Sequence, residues 1–61
     1  MNLRIYPGSK EIQKEANELF TESKVVYVGY PGPVILINLT DEEKIFATEY
    51  FQEKGKTTKE E

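Results

Sequence analysis

The sequence predicts a small α+β domain with the element order β-α-β-β-α, in which a three-stranded sheet with a central hairpin at residues 25–39 is combined with two helices. Three observations predict it. In the hairpin, two runs rich in β-branched and aromatic residues flank a Pro-Gly-Pro sequence, which is typical of two strands joined by a turn. Residues 10–23 and 41–54 carry apolar side chains at helical spacing. Residues 2–6 alternate as a short strand does.

The first strand leads directly into the first helix. Leu3 and Ile5 share one face of the strand, and a Pro-Gly pair ends it. Ser9 is then placed to cap a helix over residues 10–23. The apolar stripe of this helix consists of Ile12, Ala16, Leu19 and Phe20. Beside the stripe lies a row of carboxylates, formed by Glu11, Glu15, Glu18 and Glu22.

The hairpin is apolar at nearly every position, so we expect both of its faces to be covered. With a tight loop of even length, one face is purely aliphatic and consists of Val26, Val28, Ile35 and Ile37. The other face carries Val25, Tyr27, Val34 and Leu36. We expect the aliphatic face to pack on the helices and the second face to meet a second chain, with Ile45 as an accessory contact. The Pro-Gly-Pro sequence favours a wider loop, and an odd loop length would change this register.

A second helix follows the hairpin. Thr40, followed three positions later by Glu43, forms a capping box, and the acidic residues at 41–43 suit the positive end of the helix dipole. The main apolar face consists of Phe46, Ala47, Tyr50 and Phe51. Gly55 is a suitable stop. Residues 1–55 are therefore predicted to form a single domain, and residues 56–61, which have no apolar side chain, a disordered charged tail.

The size of the chain favours association with a second copy. The chain has 61 residues and contains no Cys and no His. A domain of this size buries only about 60% of the surface that its unfolded chain exposes, so a monomer is marginal. Small domains usually add disulfides, a metal or a second subunit, and the missing side chains exclude disulfides and thiolate or imidazole metal sites. We therefore expect a homodimer.

The charge of the chain argues against two classes of partner. The formal net charge is −3, from 11 acidic and 8 basic side chains. Direct nucleic-acid binding needs clustered Lys and Arg, and so does attachment to anionic membranes. No apolar run approaches the roughly 20 residues that cross a bilayer, and no signal-peptide pattern follows Met1. We expect a cytoplasmic protein that binds neither membranes nor nucleic acid.

The residue types also argue against an enzyme. Without Cys or His, the candidate nucleophiles are Ser9 and Ser23, and both are placed at helix ends, where capping explains them. Three successive helical carboxylates at 41–43 point about 100° apart and cannot converge on one metal ion. The sequence therefore predicts no catalytic residue, no metal and no cofactor.

The best candidates for function are residues that suit contact with another protein. The carboxylate row could meet a basic partner, although a solvated helix face also explains it. Tyr30, at the tip of the hairpin, could serve as an interface anchor, because Tyr is enriched at binding hot spots. Glu11, Glu15, Glu18, Glu22 and Tyr30 are therefore predicted to bind a partner. This pattern favours a small acidic protein-binding module, an inhibitor or regulator that blocks another protein.

In size, acidity and lack of catalytic side chains, the chain resembles small virus-encoded inhibitors of host proteins as a class. The alternative function is binding of a small molecule or nucleotide at the turn formed by residues 7–10. There, backbone N–H groups at the start of a helix could hold an anion, although the turn lacks the full frame of a phosphate-binding loop.

Overall fold

The computed structural model describes residues 1–29 and 31–61, and the α+β class agrees with the prediction. Over these residues the chain forms two α-helices and four strands. The elements are β1 (Leu3–Tyr6), α1 (Lys10–Leu19), β2 (Val25–Val26), β3 (Val34–Leu36), α2 (Asp41–Glu53) and β4 (Thr57–Glu60). A turn of 3-10 helix, Glu22–Lys24, leads into β2. The sheet therefore has one strand more than the three predicted.

The strands form one antiparallel sheet in the order β2-β3-β1-β4. β1 lies inside the sheet, where Leu3 is opposite Leu36 of β3 on one side and Glu60 of β4 on the other. Because β3 lies between β1 and β2, the first β-α-β unit is split. This arrangement is the one found in ferredoxin-like domains.

The core lies between the helices and one face of the sheet. Its buried members come from both layers and are Leu3, Ile5, Ile12, Ala16, Val34, Leu36, Leu39, Ala47 and Phe51. Since α1 and α2 both contribute to this cluster, both helices cover the same face of the sheet. The opposite face carries no helix from the described residues.

The packing corrects the expected use of the two hairpin faces. Val34 and Leu36, assigned to a dimer interface, are both 0% exposed in the core. Val25 and Tyr27, from the same face, are half-buried and pack against that core. Val26, from the face expected to meet the helices, is 39% exposed. The two faces therefore have the opposite roles to those predicted.

The reason lies in the pairing of β3 with β1. Ile5 of β1 is opposite Val34 of β3, and Arg4 is opposite Ile35. Paired residues of neighbouring strands lie on the same face, so the apolar face of β1 has to share its side of the sheet with Val34. Burying Arg4 among the helices instead would leave a desolvated charge in the core.

The hairpin register is shifted by two positions from the predicted one. Val26 is opposite Ile35, whereas a tight loop would place Val28 there. The strands end at Val26 and resume at Val34, so the connection is wider, as the Pro-Gly-Pro sequence indicates. A shift of two leaves each residue on its predicted face, because side chains alternate with period two. Tyr30, the predicted anchor, lies outside the described residues.

Helix α1 begins as predicted and ends earlier. The Ser9 hydroxyl accepts a hydrogen bond from the N–H of Ile12 at 3.2 Å, which confirms the predicted cap. The helix ends at Leu19, and Phe20 is extended. Thr21 and Ser23 follow, with their hydroxyl oxygens 2.9 Å apart. Short hydroxyl side chains favour such local non-helical contacts over a continued helix.

Helix α2 has the predicted capping box. The Thr40 hydroxyl accepts from the N–H of Glu43 at 3.1 Å, and the Glu43 carboxylate accepts from the N–H of Thr40 at 2.9 Å. Ala47 and Phe51 are buried, as their helical spacing indicates. Gly55, with φ of +81°, follows the helix in the left-handed region that favours glycine. In the part of the chain that the structure describes, no helix is long and apolar enough to cross a membrane.

The C-terminal segment is a strand where a disordered tail was predicted. Thr57–Glu60 pairs with β1 along its whole length, and the N–H of Glu61 donates to Asn2 O at 3.1 Å. The ladder satisfies backbone groups of β1 that would otherwise face water at an open edge. Side chains add two contacts to α2, Gln52 to Thr58 and Lys44 to Glu60. Backbone pairing, which needs no apolar side chain, is therefore what orders this segment.

Candidate protein-binding surfaces

The candidate sites in the described part of the chain are two exposed surfaces. No cavity is found among residues 1–29 and 31–61. Nor does any group of three or more carboxylates in these ranges lie close enough together to hold a metal ion. Two surfaces carry apolar and charged side chains in patterns that suit protein contacts. One belongs to the helical layer and the other to the uncovered side of the sheet.

The predicted carboxylate row is divided by the structure. Glu11 and Glu18 are exposed on α1, whereas Glu22 lies in the 3-10 turn beyond the end of that helix. Glu15 is half-buried between the helices. It accepts a hydrogen bond from the Tyr50 hydroxyl at 3.0 Å and pairs with Lys54 at 2.9 Å. The row is therefore not a uniform free surface, because one of its members is engaged within the chain.

These contacts change the pKa values of the paired groups. The Lys54 ammonium, and after it the Tyr50 hydroxyl, lower the pKa of the Glu15 carboxyl. The hydrogen bond between Lys54 and Glu15 also raises the pKa of Lys54. The Lys54 ammonium also lies 5.1 Å from the centre of the Tyr50 ring, within range of a cation–π interaction. Glu15 therefore joins α1 to the end of α2.

A second ion pair ties the 3-10 turn to the start of α2. The Lys24 ammonium donates to the Glu43 carboxylate at 2.8 Å. This bond, and after it the N–H of Thr40, lowers the pKa of the Glu43 carboxyl. Glu43 thus serves both as a member of the capping box and as the link between α2 and the segment before β2.

The helical layer exposes several apolar side chains, and the sequence predicted a surface role only for Ile45. Ile45, predicted as an accessory dimer contact, is 56% exposed, and Phe46, predicted on the core face of α2, is 47% exposed. The Phe46 ring meets Phe20 edge-on, with centroids 6.2 Å apart, and the adjacent Leu19 is also exposed. We call this surface the helical patch: Leu19, Phe20 and Phe46, with the neighbouring carboxylates Glu18, Glu22, Glu42 and Glu49. Ile45 points about 100° away from Phe46 on α2 and lies outside it.

Charge is divided unevenly between the layers. The two helices and the 3-10 turn carry nine acidic and four basic side chains, a formal charge of −5. The rest of the chain carries four basic and two acidic side chains, a formal charge of +2. The overall charge of −3 is therefore concentrated in the helices, whereas the four strands carry only Arg4, Lys59 and Glu60, a formal charge of +1.

The uncovered side of the sheet forms the second surface. The register places Val26, Ile35, Arg4 and Lys59 in one row across the strands, with Tyr6 opposite Thr57 in the next. We call these six residues the open sheet face. The Arg4 guanidinium donates to the Glu61 carboxylate at 2.7 Å, so the charge at the middle of the row is paired within the chain. The alternation of apolar residues with Arg4 and Tyr6 in β1 was the signal in the sequence that pointed to this face.

The turn at residues 7–10 is filled by the hairpin loop. Gly8 is buried, and a Cβ added there would collide with the carbonyl oxygen of Gly32 and approach the backbone of Pro33. Only glycine fits such a close approach of two backbones. The Ser9 hydroxyl is already used as the helix cap. The contacts at this turn explain its sequence without a ligand.

Comparison of the chain with protein-family models, with curated proteins and with solved structures finds no significant match.

Proposed function

We propose that this chain is a non-enzymatic protein-binding module, an inhibitor or regulator that occupies the surface of a partner through the helical patch. The observation that carries the proposal is the exposure of the Phe46 ring, packed against Phe20, among carboxylates. An apolar centre with a charged rim is the usual anatomy of a protein interface. The partner surface that fits is an apolar depression surrounded by Lys and Arg.

The aromatic members of the patch are its expected anchors. Phe46 lies between Phe20 and Tyr50, with ring centroids 6.2 and 5.8 Å away, so its side chain is held in place before binding. Binding energy concentrates in a few such preordered apolar side chains. Phe46→Ala is expected to weaken binding at least tenfold, which corresponds to about 1.4 kcal/mol.

The acidic rim is expected to govern the rate of association. Glu18 and Glu49 are exposed on the two helices, and the layer around them has a formal charge of −5. Exposed charges of this kind steer a basic partner over a range set by a Debye length of about 8–10 Å. Glu15 is unsuited to this role because Lys54 and Tyr50 already hold it. Tyr30 stays a predicted second anchor.

The experiment begins with affinity capture from an extract of the source cells. The wild-type chain and the Phe46→Ala variant serve as baits, and Val28→Ala serves as the control because it removes an exposed aliphatic side chain outside the patch. A protein that is retained by the wild type and the control, and lost with Phe46→Ala, supports the proposal. Equal retention on all three baits, or none on any, would contradict it.

A charge-reversal pair then tests the acidic rim against the captured partner. Glu18→Lys lies in the helical patch, and Glu11→Lys makes the same change of charge two helical turns away on α1. We expect Glu18→Lys to slow association several-fold at low salt and to lose this effect at high salt. Equal effects of the two substitutions would show that only net charge matters, and the patch would not be the binding site.

A further inference from the structure

A second surface of this molecule is unpartnered and suits a different occupant. Both helices cover one face of the sheet, so the open sheet face meets solvent in the described chain. Val26 is exposed at one end of its central row, and Val28, two residues further on, is 95% exposed. Ile35, in the middle of the row, is half-buried. Val26 and Ile35 are therefore neighbouring aliphatic side chains that no helix covers, and another protein surface can pack on them.

The area of this face fits a second copy of the chain. The accessible surface of the molecule is 4053 Å², and its extents are 27 × 24 × 21 Å. One side of a body of this shape carries between about a seventh and a fifth of the surface, or about 600–800 Å², close to the roughly 800 Å² per partner of a stable interface. Covering the whole of this side with an identical side would therefore bury an area close to that of a stable dimer.

The charge distribution selects the same arrangement. The helical layer has a formal charge of −5, so two helical layers in contact would repel each other. Stacking two open sheet faces, which pack about 10 Å apart, leaves both acidic layers on the outside. Arg4 does not oppose this stacking, because Glu61 neutralises it within its own chain. Lys59 lies on β4 at the edge of the sheet, where its ammonium can stay in water.

We infer that the chain forms a two-fold symmetric homodimer through the open sheet face, with Ile35 inside the interface and Val26 at its β2 end. The dimer leaves both helical patches exposed on its outer sides. It therefore presents two partner-binding surfaces, although the inference itself does not depend on the proposed function. A head-to-tail contact of a helical layer with an open sheet face would satisfy the charges but would continue into a polymer.

Sedimentation equilibrium of the full chain between about 5 and 200 µM tests the inference. We expect the mass to rise from 7.1 kDa towards twice that value. Val26→Lys should weaken dimerisation at least tenfold, because it places two like charges in the interface. Ile45→Lys is the matched control, since it makes the same kind of change on the opposite layer and should leave the dimer intact. Circular dichroism verifies that each variant is folded.

Nuclear magnetic resonance on the wild type gives an independent measurement that needs no variant. Over the same dilution series, amide signals of β2 and β3 should shift, while those of the exposed side of α2 should not. A mass that stays at 7.1 kDa up to 200 µM would overturn the inference. So would a dimer that Ile45→Lys dissociates and Val26→Lys does not, or a continuous series of polymers.

Discussion

The two faces of the sheet are made from similar hairpin residues and have opposite roles. Val34 and Leu36 lie in the core, whereas Val26 and Ile35, which are equally aliphatic, lie on the open sheet face. Hydrophobicity of the hairpin therefore cannot explain which face the helices cover. The difference arises in β1, where apolar side chains alternate with Arg4 and Tyr6.

This comparison shows that an inner strand with one polar face determines the orientation of its neighbours. β1 pairs with β3 on one side and with β4 on the other, so both have to match its faces. Thr58 and Glu60 of β4 lie on the helix side and contact α2, as the register requires. A strand that is apolar on both faces, such as β3, therefore takes its orientation from a neighbour whose two faces differ, such as β1.

The largest effect that distinguishes the faces is expected from a carboxylate placed on each. Val34→Asp should unfold the chain, because burying an unpaired charge costs more than the roughly 3–5 kcal/mol that a core of this size supplies. Val26→Asp, the matched substitution on the open sheet face, should leave the chain folded. Circular dichroism and the dispersion of amide signals report the outcome. A folded Val34→Asp together with an unfolded Val26→Asp would reverse the assignment of the faces.

Removal of β4 tests how much its backbone pairing with β1 stabilises the sheet. Deleting residues 57–61 should lower the free energy of unfolding by about 2–4 kcal/mol through loss of the ladder with β1. In a domain of this size, each kcal/mol lowers Tm by roughly 4–8 °C. Replacing Thr57 and Lys59 by Ala, which keeps the ladder, is the control and should have a much smaller effect. An unchanged Tm after the deletion would show that the segment does not stabilise the sheet.

A smaller effect is expected from the ion pairs that Glu15 and Glu43 form on the helical side of the sheet. The pKa values of Glu15 and Glu43 are lowered in the folded chain. Their stabilisation is therefore fully present above the ordinary carboxyl pKa of about 4.3 and is lost as the pH falls through the lowered folded values. Glu15→Gln and Glu43→Gln should destabilise the chain at pH 7 and reduce the loss of stability on acidification. Urea denaturation at a series of pH values measures this, with Glu11→Gln as the exposed control.

The smallest effect is expected from the ion pair on the open sheet face. Arg4 and Glu61 are both partly exposed, so solvent and salt screen their attraction. A double-mutant cycle with Arg4→Ala and Glu61→Ala should give a coupling that disappears in 0.5 M salt. A coupling that persists at high salt would show that the pair is buried, as in a dimer whose interface extends to β4. A coupling that depends on protein concentration would then indicate burial in a dimer, whereas one that does not would indicate burial within a single chain.

The sequence by itself determined the local features of this protein. Ser9 and Thr40 mark the starts of the two helices because a cap is formed by residues within one turn of each other. The alternation of β1 and the period of two along the hairpin determined which side chains share a face. The sequence predicted the candidate binding residues only in part. Glu18 and Ile45 are exposed as expected, whereas Glu15 is held by contacts within the chain.

Only the tertiary structure decided which partners those local features meet. The role of each hairpin face depends on the pairing of β3 with β1, between residues more than 25 positions apart in the chain. The order of residues 57–60 depends on backbone hydrogen bonds, which leave no mark in the side chains. The capture of Glu15 by Tyr50 and Lys54 depends on how α1 lies beside α2. Each of these contacts joins residues that are distant in the sequence, where local propensity and periodicity carry no information.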